Sequence, residues 1–199
     1  VVVGISGASG VIHGIRLLEV LQQVEGVETH AVISNAAKQT IALETDRSIR
    51  DVERLADEVH RPGDIAAPLA SGSFRTSAMA IIPCSIKTLS GVANCYADNL
   101  LTRAADVTLK ERRPLVLVVR ETPLHLGHLR LMTRVTEMGA LVMPPVPAFY
   151  HRPESVHQIV DQTVNRVLDQ LAVDLDTDLF ERWRGGRTAG SSQHEDPNE

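Results

Sequence analysis

Val1-Val2-Val3-Gly4-Ile5-Ser6-Gly7-Ala8-Ser9-Gly10-Val11-Ile12-His13-Gly14 opens the chain and decides its fold. Three β-branched residues predict a buried strand. Glycines separated by small hydroxyl residues predict a tight turn, and the apolar-periodic run from Val11 predicts a helix. That order aims free backbone N–H groups and a positive helix end at one spot, which suits a phosphate. Ser6 and Ser9 could add hydroxyl donors. The pattern is neither G-x-G-x-x-G nor a P-loop with its lysine. Taken alone it fits an anion-binding turn or an ordinary structural one.

Working outward, strand and helix alternate. Ile12–Val24 carries apolar residues at Ile12, Ile15, Leu18, Leu21 and Val24, one helical face, and Gly26 ends it. Thr29–Ser34 reads as a second strand. A dinucleotide site usually holds the ribose hydroxyls with an acid at this point. Ser34 and Asn35 stand there instead, favouring a mononucleotide or phosphate. Asn35–Glu44 reads as a short helix and Asp46–Pro62 as a charged surface helix and loop. Met79–Pro83 is a third buried strand. Cys84-Ser85-Ile86-Lys87-Thr88 then forms a second strand-to-helix turn, with Ser85 as N-cap. Lys87 in the first helical turn opposes the macrodipole, a conflict that a nearby anion removes.

Asn99–Arg113 reads as a helix rich in bases. Leu115–Val119 is a strand apolar enough to be buried on both faces. Arg120 and Glu121 follow its carboxyl end, where open α/β sheets bind ligands. Pro123–Gly139 is a helix, Ala140–Met143 a short strand, and Glu154–Leu171 an amphipathic helix. Between the last two lies the proline-stiffened Pro144–Pro153. The pattern predicts a three-layer α/β/α fold with a mostly parallel, Rossmann- or flavodoxin-like sheet. One domain is expected over residues 1–183, with a polar, disordered tail over 184–199.

Composition narrows the function classes. The chain has 199 residues, 43% apolar, enough for a sizeable core, and no apolar run approaches the ~20 residues of a membrane span. A net charge of −5 with interspersed signs argues against nucleic acid or a membrane surface as partner. Two cysteines make no disulfide framework, and no leader pattern precedes the first strand, so a cytoplasmic protein is expected. A metal set of Glu121, His125 and His128 has helical spacing, but Pro123 separates Glu121 from the helix, and no metal is expected. Cys84 precedes a helix N-terminus, which can activate a thiol, yet it follows a buried strand and is expected to pack. No G-x-S-x-G elbow is present.

Six stretches together are more specific. They are G-A-S-G at 7–10, A-S-G-S-F at 70–74, P-C-S-I-K-T at 83–88, L-L-T-R-A-A-D-V-T-L-K-E-R-R at 100–113, R-E-T-P-L-H-L at 120–126 and P-P-V-P-A-F-Y-H-R-P at 144–153. In these motifs the chain resembles the UbiX family of flavin prenyltransferases, over nearly all of residues 1–183. The resemblance implies an enzyme that binds FMN and dimethylallyl monophosphate and joins the prenyl group to flavin N5 and C6. The product would serve a UbiD-type decarboxylase in ubiquinone biosynthesis. It also implies a homododecamer whose pockets are completed by neighbouring subunits, and no metal.

Carried over by motif, Gly7, Ala8, Ser9, Ser34, Ser85, Ile86, Lys87, Thr88 and Arg120 match FMN contacts. Tyr150 and Arg166 match ligands of the dimethylallyl phosphate, and Arg103 and Lys110 match bases around it. Glu44 and Glu121 match the carboxylates assigned to proton handling. The chain departs from many members at Ile65, where they carry a tryptophan. A cysteine-decarboxylase-type flavoprotein is the nearest alternative, but its P-x-M-N segment is here P-A-F-Y. Older descriptions of the family as aromatic acid decarboxylases suggest another. A flavin-storing scaffold is a third, though it would have no need for Tyr150, Arg166 and Glu44 together.

Overall fold

A computed structural model describes residues 1–185. Strand β1 (Val2–Ile5) runs through the opening turn into helix α1 (Val11–Leu21). Next come β2 (His30–Ile33), α2 (Asn35–Glu44), α3 (Ile49–Glu53) and β3 (Glu58–His60). A short 3-10 turn at Pro68–Ala70 precedes β4 (Met79–Cys84), α4 (Ile86–Ala93) and α5 (Leu100–Lys110). The described chain closes with β5 (Leu115–Val119), α6 (Leu126–Glu137), β6 (Leu141–Val142) and α7 (Val156–Leu171).

The six strands form one sheet in the order β3-β2-β1-β4-β5-β6, and every pairing is parallel. From β1 the chain winds outward to β3, then crosses back to lay β4 on the other side of β1. The order therefore reverses between β1 and β4, where such sheets open a crevice at their carboxyl ends.

Side-chain alternation makes the three layers. Val3, Ile5, Ala31, Ile33, Ala80, Ile82, Val116 and Val118 point to one face and pack with α1, α2 and α7. Val2, Val32, Met79, Ile81, Leu115, Leu117 and Val119 point to the other and pack with α4 and α5. Strands buried on both faces need the continuous apolar runs seen in the sequence. Helix α1 has Gly10 as N-cap, a residue with no side chain of its own to cap it. Packing holds it: Leu17, Leu18 and Leu21 are fully buried, each worth ~1.5–3 kcal/mol. Gly14 lets it sit close, since a Cβ there would fall 2.2 Å from the Ile82 carbonyl oxygen.

The predicted elements recur with ends displaced by a few residues, with one addition. Asp46–Pro62, expected as helix and loop, also contains β3. That strand has three residues, two of them exposed, so it has neither the length nor the alternation that reveals a strand. The tail expected over 184–199 lies outside the described residues except for Arg184 and Gly185.

Candidate functional site: a crevice fed by three helix N-termini

Strands β2 and β4 each end in a turn whose first polar side chain caps the next helix, and Asn99 caps a third helix that follows α4. Ser34 follows β2, and its hydroxyl accepts from the Ala37 N–H at 3.1 Å. Ser85 follows β4 and accepts from the Thr88 N–H at 3.4 Å. Asn99 precedes α5 and accepts from the Thr102 N–H at 3.1 Å. All three caps line one cavity of about 850 Å³, together with Gly7, Lys87 and Thr88. None of the three helices has an acidic residue in its first turn. Their positive ends are thus not neutralised from within, and Lys87 adds a full charge. Asp98 is the one carboxylate on the wall. The arrangement attracts an anion, and the volume falls within the range of small-molecule and cofactor sites.

Gly7 is needed where it stands. A Cβ on it would lie 2.3 Å from the Ala36 Cβ, because the first turn packs directly against the start of α2. Ser6 corrects a sequence expectation. Its hydroxyl is buried, donates to the Pro83 carbonyl at 2.9 Å and accepts from the Ser85 N–H at 2.7 Å. It ties the two turns together and has no proton to offer a ligand.

The two carboxylates and Arg120 occupy the same edge of the sheet in different settings. Glu44 ends α2 and reaches back to α1, where its Oε2 accepts from the Gly10 N–H at 2.8 Å and the Val11 N–H at 3.3 Å. The exposed Glu44 thus supplies the cap that Gly10 lacks. Ala8 and Ser9 lie between it and Gly7 in the same turn. Arg120 is exposed, and its N–H extends the sheet to the Cys84 carbonyl at 3.0 Å. Glu121 accepts from the neighbouring Thr122 N–H at 3.0 Å. Ile86 is half-buried and packs against the core behind the second turn.

The remaining basic residues are engaged elsewhere within the chain. Arg103 donates to the Ala70 carbonyl at 3.1 Å and to Asp106 at 2.7 Å. Arg113 donates to the carbonyls of Gly72 at 2.9 Å and Phe74 at 3.0 Å. Together they clamp the A-S-G-S-F loop onto α5. Lys110 pairs with Glu111 beside the same loop. On α7, Arg166 is exposed and meets Asp169 at 3.3 Å. Tyr150 is 47% exposed and packs edge-on to Trp183, with ring centroids 5.6 Å apart. None of Arg103, Lys110, Tyr150 or Arg166 lines the 850 Å³ cavity within one chain.

Two rival chemistries lose their basis here. Cys84 is fully buried, and that burial pushes its thiol up to about 12, so it is no thiolate nucleophile at neutral pH. His125 spends Nδ1 accepting from the Gly127 N–H at 3.0 Å. It forms no ligand cluster with Glu121 and His128 among the described residues.

The sequence reading missed a good part of the wall: Asn35, Pro62, Asn94, Tyr96 and Asp98. Asp98-Asn99 ahead of an apolar-periodic run was a legible helix start. Nothing in the sequence says that this start converges with two others.

A doubly wound parallel sheet with an anion-attracting crevice at its switch point defines a nucleotide-binding type of α/β protein. The chain belongs to the Flavoprotein family, whose model matches residues 1–168. Within that family it belongs with the UbiX-type flavin prenyltransferases. It is 66% identical over 184 residues to flavin prenyltransferase UbiX of Escherichia coli K12, covering 92% of this chain and 97% of that one. Its identity to the UbiX of Archaeoglobus fulgidus is 52% over 182 residues, 92% of this chain and 98% of that one.

Among solved structures, AnUbiX (PadA1) in complex with FMN and dimethylallyl pyrophosphate superposes with a TM-score of 0.89 at 50% identity, over 92% of this chain and 96% of that one. A dodecameric FMN-dependent UbiX-like decarboxylase from Escherichia coli O157:H7 gives 0.88 at 52%, over 92% and 98%. The peptidyl-cysteine decarboxylase EpiD, at 18% identity and a TM-score of 0.58 over 74% of this chain and 81% of that one, shares the fold alone.

Proposed function

We propose that the protein is a flavin prenyltransferase that transfers a dimethylallyl group from dimethylallyl monophosphate to N5 and C6 of reduced FMN. The observation that carries this reading is the convergence on one cavity of Lys87 and three helix N-termini with no acid in their first turns. A flavin mononucleotide fits such a site, since its phosphate needs amides and a cation. Kinship to a protein solved with FMN and dimethylallyl pyrophosphate supports FMN and a dimethylallyl phosphate as ligands here.

When bound, reduced flavin supplies the nucleophilic nitrogen. The protein's own groups do the rest. Gly7, Ala8, Ser9, Ser34 and the Ser85–Thr88 segment hold the mononucleotide, and Arg120 contacts its ring. Tyr150 and Arg166, with Arg103 and Lys110, bind the prenyl phosphate and stabilise the charge it gains on leaving. Glu44 and Glu121 handle the proton lost at C6. The walls hold the reacting carbon at near-attack distance and keep out water, which would capture the allylic cation.

The phosphate ligands sit apart from the cavity in one chain: Arg103, Lys110 and Arg166 pair with acids of that chain, and Tyr150 packs on Trp183. We therefore assign the complete pocket to a homo-oligomer in which neighbouring chains bring Tyr150 and Arg166 to it. The relative described as dodecameric supports a dodecamer. No helix among the described residues is long and apolar enough to cross a membrane. We place residues 1–183 as one flavoprotein unit acting in the cytoplasm and supplying prenylated FMN to a UbiD-type decarboxylase in ubiquinone biosynthesis.

The test is anaerobic. Purified protein, reduced FMN and dimethylallyl monophosphate are mixed, and the flavin is weighed by mass spectrometry. A flavin heavier by one prenyl unit is expected. Unmodified FMN from folded, flavin-loaded protein would overturn the reading. Tyr150→Phe and Arg166→Ala should impair prenylation more than FMN binding; equal loss of FMN would refute the phosphate assignment.

A further inference from the structure

The proposed reaction uses no group at the amino-terminal side of β2 and β3, yet that region gathers three metal-ligating side chains. His30 opens β2 and pairs in register with Glu58, and Val32 pairs with His60. Residues two apart on a strand share a face, so His30, Glu58 and His60 project together. His30 Nδ1 lies 3.1 Å from His60 Nε2 and 3.1 Å from Glu58 Oε2. His60 Nε2 lies 3.8 Å from Glu58 Oε2. A tetrahedral Zn²⁺ with bonds of about 2.0–2.1 Å keeps its ligand atoms roughly 3.3 Å apart. The three separations fall around that value without movement of the backbone.

The surroundings fit a site. Both imidazoles are buried. His30 is stacked on His60 at 5.3 Å and edge-on to Phe74 at 5.3 Å, which fixes its ring. Glu28 Oε1 lies 3.7 Å from His30 Nε2, the ring nitrogen facing away from the cluster, so a carboxylate stands behind that ring without a hydrogen bond to it. A cavity of about 520 Å³ lined by His30 and Glu28 gives a path from solvent. No other group of three such side chains lies within mutual reach among the described residues.

We propose that His30, Glu58 and His60 bind one divalent transition-metal ion of the Zn²⁺ type, with water completing its tetrahedron. The ion clips edge strand β3 to β2. It takes no part in catalysis, since none of its ligands lines the flavin cavity. It acts on that cavity only through Pro62, the wall residue two positions past His60.

The full-length protein is stripped with a chelator, reloaded with ZnCl₂, passed through gel filtration and analysed for zinc. Co²⁺ serves as a second probe through the visible absorption of a four-coordinate N/O site. One Zn²⁺ per chain is expected to be retained, and Glu58→Gln should weaken it by at least about tenfold, the loss that even an outer-shell partner can cause. Glu58 is half exposed, so that variant keeps the fold, which circular dichroism checks; His60→Gln is the second variant. The proposal is overturned if no zinc is retained or if Glu58→Gln and His60→Gln bind it like the parent. It is equally overturned if binding disappears with Cys95→Ser or His125→Ala instead.

Discussion

The two strand-to-helix turns of the crevice solve the same problem in opposite ways. The second, Pro83–Thr88, is self-sufficient: Ser85 caps α4 and meets the Thr88 hydroxyl at 3.1 Å. The first, Gly7–Gly10, puts a glycine at the N-cap itself, in the left-handed region at φ 91°. A carboxylate 34 residues away, on an exposed side chain, caps α1 in its place. A ligand at the second turn meets a preset helix pole. A ligand that takes the amides of Gly10 and Val11 must displace Glu44. The rigid turn selects, and the borrowed cap can respond.

The sharpest way to break this pairing is at Gly14, which seats α1 against β4. Gly14→Ala drives a Cβ to within 2.2 Å of a backbone oxygen. The expected loss is about 3 kcal/mol from overpacking, outweighing the ~1 kcal/mol of helix propensity gained. Urea unfolding reads it. Ser6→Ala cuts the tie between the turns and leaves the Ser85 N–H without its partner. About 2 kcal/mol should be lost, and FMN affinity should fall with it.

Glu44→Ala and Ser85→Ala each remove one cap, at about 1 kcal/mol apiece. Salt separates them. The Glu44 contribution is a charge against a helix end near solvent, so added NaCl should shrink its cost and leave that of Ser85 unchanged. Equal salt response would refute the contrast. Lys87→Gln should change the sign of the effect: ligand-free protein gains ~0.3–1 kcal/mol as the first turn of α4 loses an unfavourable cation, while phosphate and FMN bind more weakly.

The smallest effect is acid sensitivity at the first turn. His13 Nδ1 lies 3.0 Å from the Gly10 carbonyl, and burial holds its pKa below the ordinary 6.5. Between the folded and ordinary values the unfolded chain binds more protons. The histidine's contribution is thus complete above pH 6.5 and is lost as pH falls through the folded value. Thermal melts across pH 7.5 to 5 of the parent and His13→Gln should diverge only at the acid end; parallel curves would remove His13 from the account.

The architecture was legible because its signals are local. Val1–Ile5 and Leu115–Val119 are apolar runs only a doubly covered sheet can use, and Ser85 announces α4 by itself. The site was legible only in part. Which groups meet depends on crossovers: Glu44 reaches Gly10 across α2, and the Asn99 cap comes to the cavity only because β4 returns beside β1. Arg103 reads as one base in a basic helix; its grip on the Ala70 carbonyl depends on a loop 33 residues away. Strand β3 was hidden by brevity. The roles of Tyr150 and Arg166 came from resemblance, since within one chain both lie outside the cavity.

That brevity has a consequence for assembly. The sheet is bounded by β3 with three residues and β6 with two. So short a border presents few unpaired amides and carbonyls for a stranger's strand to zip onto. The charged Glu58 sits on one border as a further deterrent. Copies of the chain can therefore meet without fusing their sheets edge to edge.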